Sequence, residues 1–173
     1  MDHEKELINL INEEKMRYVG SMVLGLSDAL VELTGALAGF TFTLRNTRLI
    51  AMAGLITGIA ASLSMAGSEY LSTKSEESLR DPLKASLYTG MVYVLTVFLL
   101  VFPFLLFEDY FFSFGFTLFN AIVVILLFTF YISVAKEIPF KKRSFEMILI
   151  CFGVAIITFI IGYLVRLFLN IEI

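Results

Sequence analysis

The sequence has only one cysteine and one histidine among its 173 residues. A lone thiol, Cys151 in an apolar stretch, forms neither an intrachain disulfide framework nor a thiolate metal cluster. The lone histidine, His3, provides no cluster of histidine ligands, and the sequence has no Ser/His/Asp set and no phosphate-binding glycine loop. A net charge of −3 also argues against nucleic acid as a partner. We therefore expect neither an enzyme nor a protein that binds a cofactor or nucleic acid.

Long polar regions are scarce as well, whereas 58% of the residues are hydrophobic and 18 are phenylalanine. A water-soluble domain of this length cannot bury so much apolar surface, so lipid is the expected solvent. A spanning helix needs about 20 mainly apolar residues. The sequence thus predicts an all-α polytopic membrane protein with five transmembrane helices, at about 19–44, 49–71, 86–107, 114–135 and 146–169.

The first 17 residues differ from the rest because they are polar and eight of them are charged. We expect no cleavable signal peptide there. Leu7, Leu10 and Ile11 with their charged neighbours predict a short amphipathic helix along the membrane surface. The chain then divides into a cytoplasmic N-terminal helix (1–17) and a five-helix transmembrane domain (18–173), since no link between spans is long enough for another domain.

Lysine and arginine are distributed unevenly between the two sides of the predicted membrane domain, and such residues accumulate on the cytoplasmic side. A cytoplasmic N-terminus places three of them outside, namely Arg45, Arg48 and Arg166. The other ten then lie inside: Lys5, Lys15, Arg17, Lys74, Arg80, Lys84, Lys136, Lys141, Lys142 and Arg143. We expect the N-terminus inside and the C-terminus outside. Because five helices cannot form two equal inverted halves, a two-fold transport path would need a second subunit.

Two carboxylates interrupt the first predicted span, in the stretch SDALVELTGALAG at residues 27–39. An ionised acid at the centre of a membrane helix costs about 2.5–3.5 kcal/mol on insertion scales, and such residues are usually functional. Asp28 and Glu32 lie one helical turn apart, and Asp28 lies about 15 Å of helix beyond Tyr18. Both acids are therefore expected deep in the bilayer.

The first two spans form a hairpin around Asn46 in which residues whose numbers sum to about 93 lie at similar depth. Gly35 is then level with Gly58, and Gly39 with Gly54. Both pairs belong to GxxxG motifs, which let helix backbones approach closely. We expect these four glycines to pack the two helices together.

The same hairpin predicts a polar cavity. Asp28 falls level with Met65, and Glu69 follows one turn later on the second helix, so we expect Asp28, Glu32, Met65 and Glu69 to surround one cavity. Neither helix contains a lysine or arginine in its span, so the compensating positive charge is a proton, a metal ion or a residue elsewhere.

Crowded acids in a medium of low dielectric constant favour the protonated form. A divalent cation must displace those protons to bind, which couples metal binding to proton release. Oxygen ligands with one thioether suit Fe²⁺ or Mn²⁺ better than Mg²⁺ or Ca²⁺, but do not separate Fe²⁺ from Mn²⁺, Co²⁺ or Zn²⁺. The predicted cargo is thus a borderline divalent metal ion.

The motif MVLGLSDALVE followed by ALAG, together with AGLITGIAASLSMAGSEYLSTKSE, resembles the vacuolar iron transporter (Ccc1-like) family over about residues 17–77. The resemblance implies a homodimer whose first helices line a path for exporting Fe²⁺, and often Mn²⁺, from the cytosol in exchange for protons. In the family's pattern, Asp28 and Met65 match the aspartate and methionine of the path. Glu32 and Glu69 match acidic positions in the same two helices.

The sequence departs from that family pattern in two places. Ala29 replaces the usual glycine after the aspartate. The link STKSEESLRDPLK replaces the cytoplasmic helical domain with clustered Glu and Met that plant-type members carry, and it keeps Glu76 and Glu77 as candidate acids at the cytoplasmic mouth. We therefore expect a compact member without that metal-collecting domain. The short link suits an exporter in the plasma membrane of a prokaryote.

Other interpretations stay open at this point. Asp28 and Glu32 would also serve as a hydrogen-bonding pair between helices, and Met65 as core filler. Glu69 would be tolerated at the membrane interface, and Glu76 and Glu77 on a solvated loop. Three polar residues of helices three and four are interpreted as packing or interface residues, namely Tyr88, Tyr93 and Asn120.

The competing functions are a passive divalent-cation channel and a non-transporting membrane scaffold or accessory subunit. A channel would use the same acids but follow voltage and the metal gradient. A scaffold would use the acids to bind a partner helix and would move no metal.

Overall fold

The computed structural model describes the backbone of residues 2–76, 80–136 and 138–169, and the side chains of 18–76, 80–134 and 138–168. Its described part is all-α and has no strand, and five helices are long and apolar enough to span a membrane. This confirms the predicted fold class. The helices are α1 (Asp2–Leu44), α2 (Thr47–Ser75), α3 (Pro82–Leu106), α4 (Tyr110–Lys136) and α5 (Phe140–Leu169).

The N-terminal segment continues into the first span. The sequence predicted a short amphipathic helix over 1–17 and a separate span, whereas α1 runs without a break from Asp2 to Leu44. The reason is local, because residues 2–17 contain neither glycine nor proline and are rich in the helix formers Glu, Lys and Leu. The membrane-spanning part of α1 begins at Tyr18.

Short capped turns connect the first three helices. The side chain of Asn46 accepts hydrogen bonds from the backbone N–H groups of Arg48 and Leu49 and so caps α2. Asp81 caps α3 in the same way, and Pro82 occupies the first helical turn, where its missing N–H costs nothing. Because α2 ends at Ser75 and α3 begins at Pro82, the link between them has no room for a separate domain.

Helix α1 lies at the centre of the bundle, against α2, α3, α4 and α5. It is the least apolar of the five spans, yet 50% of its most apolar stretch is buried, against 17% for α5, the most apolar span. Lipid tolerates apolar side chains, so the most apolar helix can remain outside while the helix with polar groups is surrounded by protein. The core joins leucines of α1 to one face of α3: Leu26, Leu30, Leu33, Leu37, Tyr93, Val97, Leu100, Val101 and Phe104.

The glycines of the two GxxxG motifs lie at close helix contacts, but they do not face each other. A Cβ atom added to Gly35 or Gly39 would press against α5, at Val154 and Thr158. A Cβ atom at Gly58 would instead lie 2.6 Å from the Val97 side chain of α3. The predicted pairing of the two motifs across the hairpin is therefore wrong, because equal depth does not decide which neighbour a helix face meets.

Helix α5 supplies the small residues that the α1 motif needs. A Cβ at Gly162 would lie 2.7 Å from the backbone oxygen of Gly39. The hydroxyl of Thr158 donates a hydrogen bond to the backbone oxygen of Gly35 at 2.6 Å. Thr158 and Gly162 are spaced by four, so α1 and α5 cross through two small-residue motifs.

Gly54 of α2 fits between α1 and α3. A Cβ atom there would lie 2.8 Å from Leu37 and 3.2 Å from Val101. The stripe of small and polar residues on α1 likewise meets several neighbours, since Gly25 packs on the backbone of Thr89 in α3. Helices in a bundle cross at an angle, so the neighbour of one face changes with depth.

Candidate metal site in the first three helices

Glu32 lies well inside the first span and is exposed on the surface of the single chain. Fourteen residues separate it from Tyr18, which corresponds to about 21 Å of helix rise. The phenol of Tyr93 on α3 donates a hydrogen bond to the Glu32 carboxylate, with 2.8 Å between Oη and Oε2. The Tyr93 side chain is fully buried. The bundle thus fixes the donor, and the donor orients an acid that faces outward.

Asp28 lies one turn before Glu32 on α1 and is half-buried. The two carboxylates are therefore neighbours on one helix face, where like charges repel. The structure brings Glu32 and Tyr93 together, with Asp28 one helical turn away on α1.

Glu69 occupies a different position, nearer the N-terminal end of α1. Its buried carboxylate accepts a hydrogen bond from the Ser21 hydroxyl, with 2.6 Å between Oγ and Oε1. Ser21 precedes Asp28 by seven residues, about 10 Å of helix. Glu69 also has a basic partner, because the Arg80 guanidinium lies 3.6 Å from the same oxygen. The sequence predicted no salt bridge within the hairpin, and Arg80 supplies one to Glu69 from the link that follows it.

The contacts between α1 and α2 correct the predicted register. The touching pairs Ser21 with Glu69 and Leu37 with Gly54 have residue numbers that sum to 90 and 91, not 93. This shift is less than one helical turn, and it places Met65 nearer the C-terminal end of α2 than the level of Asp28. Met65 is half-buried and packs against the apolar core of the bundle.

The described acidic side chains of one copy do not form a complete ligand set. Among the described residues, no three His, Cys, Asp or Glu side chains come together around a point that could hold a metal ion. Asp28 and Glu32 form one pair, and Glu69 lies with Ser21 and Arg80. The ligand roles of Asp28, Glu32, Met65 and Glu69 stay predictions.

At the predicted cytoplasmic mouth, Glu76 is exposed and binds Arg80, with 2.8 Å between Nη2 and Oε2. Glu77 lies outside the described residues. Arg80 therefore contacts both a buried acid in α2 and an exposed acid just after it.

Sequence reasoning missed the contacts of Tyr93 and Arg80. Tyr93 was interpreted as a packing residue, which its burial fits, but its hydroxyl also binds Glu32. A phenol placed in an apolar run at the depth of two acids could have suggested this bond. Arg80 was counted only as a cytoplasmic charge, and its position directly before the capping pair Asp81–Pro82 could have indicated that it is held in place.

These features define a multi-pass membrane protein in which the innermost helix, α1, carries two carboxylates at depth, and α2 places a third against the N-terminal part of the α1 span. Residues 19–81 match the VIT family, the vacuolar iron transporters, which confirms the resemblance predicted from the residues. The matched part contains α1 from Val19, all of α2 and the link to α3, whereas Tyr93 lies beyond it. A comparison with curated proteins gave no match.

The matched family is one of membrane transporters for divalent metal ions. With five spans, the chain is an integral multi-pass membrane protein. Its expected surroundings and cargo are membrane lipid and divalent metal ions.

Proposed function

We propose that the protein is a homodimeric exporter that moves Fe²⁺, and secondarily Mn²⁺, out of the cytosol in exchange for protons. The observation that carries this proposal is Glu32, a carboxylate exposed on the single chain although it lies deep in α1. Acyl chains are a very poor environment for such a group, so a polar surface must cover it. A second copy of the chain is the simplest cover.

Two-fold symmetry next to α1 also explains why one copy has an incomplete ligand set. An interface of this kind is self-complementary, so Asp28 and Glu32 of one protomer meet the same two residues of its partner. Four carboxylates would then replace the two that one copy presents. The odd number of spans fits this arrangement, since the second half of the path comes from another chain.

Proton exchange follows from the crowding of these acids. Neighbouring carboxyl groups in a medium of low dielectric constant cannot all be ionised without a compensating cation. The site therefore contains protons when metal is absent, and a divalent ion that binds displaces them. Tyr93 keeps one oxygen of Glu32 oriented while the other remains available to a metal ion.

Donor chemistry supports Fe²⁺ and Mn²⁺ as cargo. Asp28, Glu32 and Glu69 offer oxygen, and Met65 offers a thioether that adds little for Mg²⁺ or Ca²⁺. Under the predicted orientation, metal enters from the side of Glu69 and Glu76 and leaves beyond Glu32. The short link between α2 and α3 supports a location in a prokaryotic plasma membrane.

Flux in inside-out proteoliposomes tests the proposal, with metal uptake and internal pH recorded together. We expect Fe²⁺ and Mn²⁺ uptake with proton release from the vesicles, and strong loss of uptake in Asp28→Asn and Met65→Ala. Met52→Ala is the control for Met65→Ala, because Met52 lies near the other end of α2 and is 54% exposed.

Three results would contradict the proposal. If metal uptake persists in both Asp28→Asn and Met65→Ala, these residues are not ligands on the transport path. Uptake that ignores an imposed pH gradient would favour a passive channel. No uptake by the pure, folded wild-type protein would favour a scaffold.

A further inference from the structure

Arg80 lies against two acids at one end of the bundle. Its guanidinium lies 3.6 Å from a Glu69 oxygen and 2.8 Å from a Glu76 oxygen. The Glu69 side chain is 8% exposed, the Arg80 side chain 24% and the Glu76 side chain 51%. The guanidinium therefore bridges a buried acid and a solvated one.

The residue after Arg80, Asp81, is held in place through both its backbone and its side chain. The Asp81 backbone N–H donates a hydrogen bond to the Tyr18 hydroxyl on α1 at 3.1 Å. The Asp81 side chain caps α3, and Pro82 restricts the backbone at the start of that helix. Tyr18 in turn packs on Tyr88 of α3, with 5.3 Å between the ring centroids. Arg80 thus directly precedes an anchored residue.

Arg80 and a divalent metal ion would compete for the carboxylate oxygens of Glu69 and Glu76. A guanidinium fits carboxylates through directed hydrogen bonds, whereas a divalent ion would bind the same oxygens directly. Glu69 is buried, so it is costly to leave without a positive partner. A tethered arginine supplies that partner when no metal ion is nearby.

We propose that Arg80 is an intramolecular counter-ion that occupies the cytoplasmic end of the acid path in the metal-free protein and is displaced when a divalent metal ion binds Glu69 and Glu76. The proposal rests on the proposed transport function. In it, Arg80 stabilises the metal-free state and lowers the affinity for metal at the mouth. Arg80 is a positioning residue, since it acts through the acids that it contacts.

Substitution of Arg80 provides the first test. In Arg80→Gln, we expect the KM for Mn²⁺ uptake into inside-out proteoliposomes to fall about fivefold, equivalent to about 1 kcal/mol at 1.4 kcal/mol per factor of ten. Arg80→Lys keeps the charge, and we expect its KM to lie between those of the wild type and Arg80→Gln, because a lysine ammonium provides a cation but cannot bond both acids as the planar guanidinium does.

Two controls separate displacement from a general change in charge. Lys74→Gln removes the same charge near the same end of α2, where Lys74 lies 5.7 Å from the Tyr70 ring centre; because exposed charges are screened, its KM should change less than about twofold. The second control measures Mn²⁺ binding to purified protein. Arg80→Gln should tighten binding in the wild-type background but not in Glu69→Gln, because the shared acid is then missing.

A third measurement uses the wild-type protein and needs no transport. Phenylglyoxal modifies guanidinium groups, and mass spectrometry of peptides locates the product. Adding Mn²⁺ should increase modification of Arg80 and leave Arg48, an exposed arginine at the opposite end of α2, unchanged.

The possible outcomes are distinguishable. If the wild type transports Mn²⁺ but Arg80→Gln and Lys74→Gln change the KM equally, the counter-ion proposal alone is overturned. The same holds if the wild type transports Mn²⁺ but Mn²⁺ does not change the modification of Arg80. Tighter binding by Arg80→Gln that persists in Glu69→Gln also overturns it. Absence of both Mn²⁺ binding and uptake in the wild type overturns the proposed function and the displacement with it.

Discussion

Tyr93→Phe removes one atom from the candidate site and leaves the fold around it in place. The Tyr93 ring is fully buried in the core, and phenylalanine fills the same volume. What disappears is the 2.8 Å hydrogen bond from the phenol to Glu32. Because Glu32 is exposed on the single chain, the substitution leaves no acid buried in that chain without a partner.

The size of the effect follows from the charge of the acceptor. A hydrogen bond to a charged group contributes about 1.5–3 kcal/mol. At 1.4 kcal/mol per factor of ten, loss of this bond should raise the KM for Mn²⁺ at least about tenfold. Metal binding weakens because the carboxylate is no longer oriented by a fixed donor.

Tyr88→Phe is the matched control for Tyr93→Phe. Tyr88 lies on the same helix five residues earlier, where its ring is partly exposed and packs on Tyr18. We expect its KM to equal that of the wild type. The assay is initial-rate Mn²⁺ uptake over a concentration series, with thermal unfolding measured to establish that both variants fold. An unchanged KM in Tyr93→Phe would refute a role for the Tyr93 hydroxyl in metal binding.

Two further predictions concern packing and assembly. Gly25→Ala should lower the free energy of unfolding by about 2 kcal/mol or more, because the new Cβ would collide with the Thr89 backbone, which cannot move aside as a side chain can. In the control Gly115→Ala, the new Cβ meets no atom within 4 Å and should not destabilise the protein. Equal melting temperatures of the two variants would contradict this account. Leu24→Cys, one turn before Asp28 on the exposed side of α1, should form an intermolecular disulfide in a Cys151→Ser background, whereas Leu127→Cys on α4 should not. Similar cross-linking at both positions would contradict an interface along α1.

The fold could be predicted from the sequence because lipid imposes a simple requirement. A long apolar run that crosses a bilayer must satisfy its backbone hydrogen bonds internally, so five runs predict five helices. The start of α1 was missed, since amphipathic periodicity identifies a helix over 1–17 but does not say whether it joins the next one. Which helices contact each other could not be predicted from the sequence either, because Gly35 and Gly39 indicate a close helix contact but do not identify the second helix.

Candidate site residues were easiest to predict where their charge costs free energy within a membrane span. Asp28 and Glu32 stand out because charge within a span is expensive. Tyr93 does not, because aromatic residues in an apolar helix usually serve as core and its hydroxyl becomes meaningful only when α3 is placed next to α1. Arg80 is equally hidden, since an arginine in a mixed-charge link normally faces water and only the anchoring of Asp81 reveals its contact with Glu69.

The crossing of α1 and α5 has a consequence for biosynthesis. Helix α1 acquires its small-residue contact with α5 only when α5 has been made, so the α1 face with Gly35 and Gly39 remains without it during the synthesis of about 120 residues. Until then another helix or a membrane chaperone must cover this face of α1. A ribosome that stalls after α4 would release a protein in which α1, the helix with Asp28 and Glu32, lacks its contact with α5.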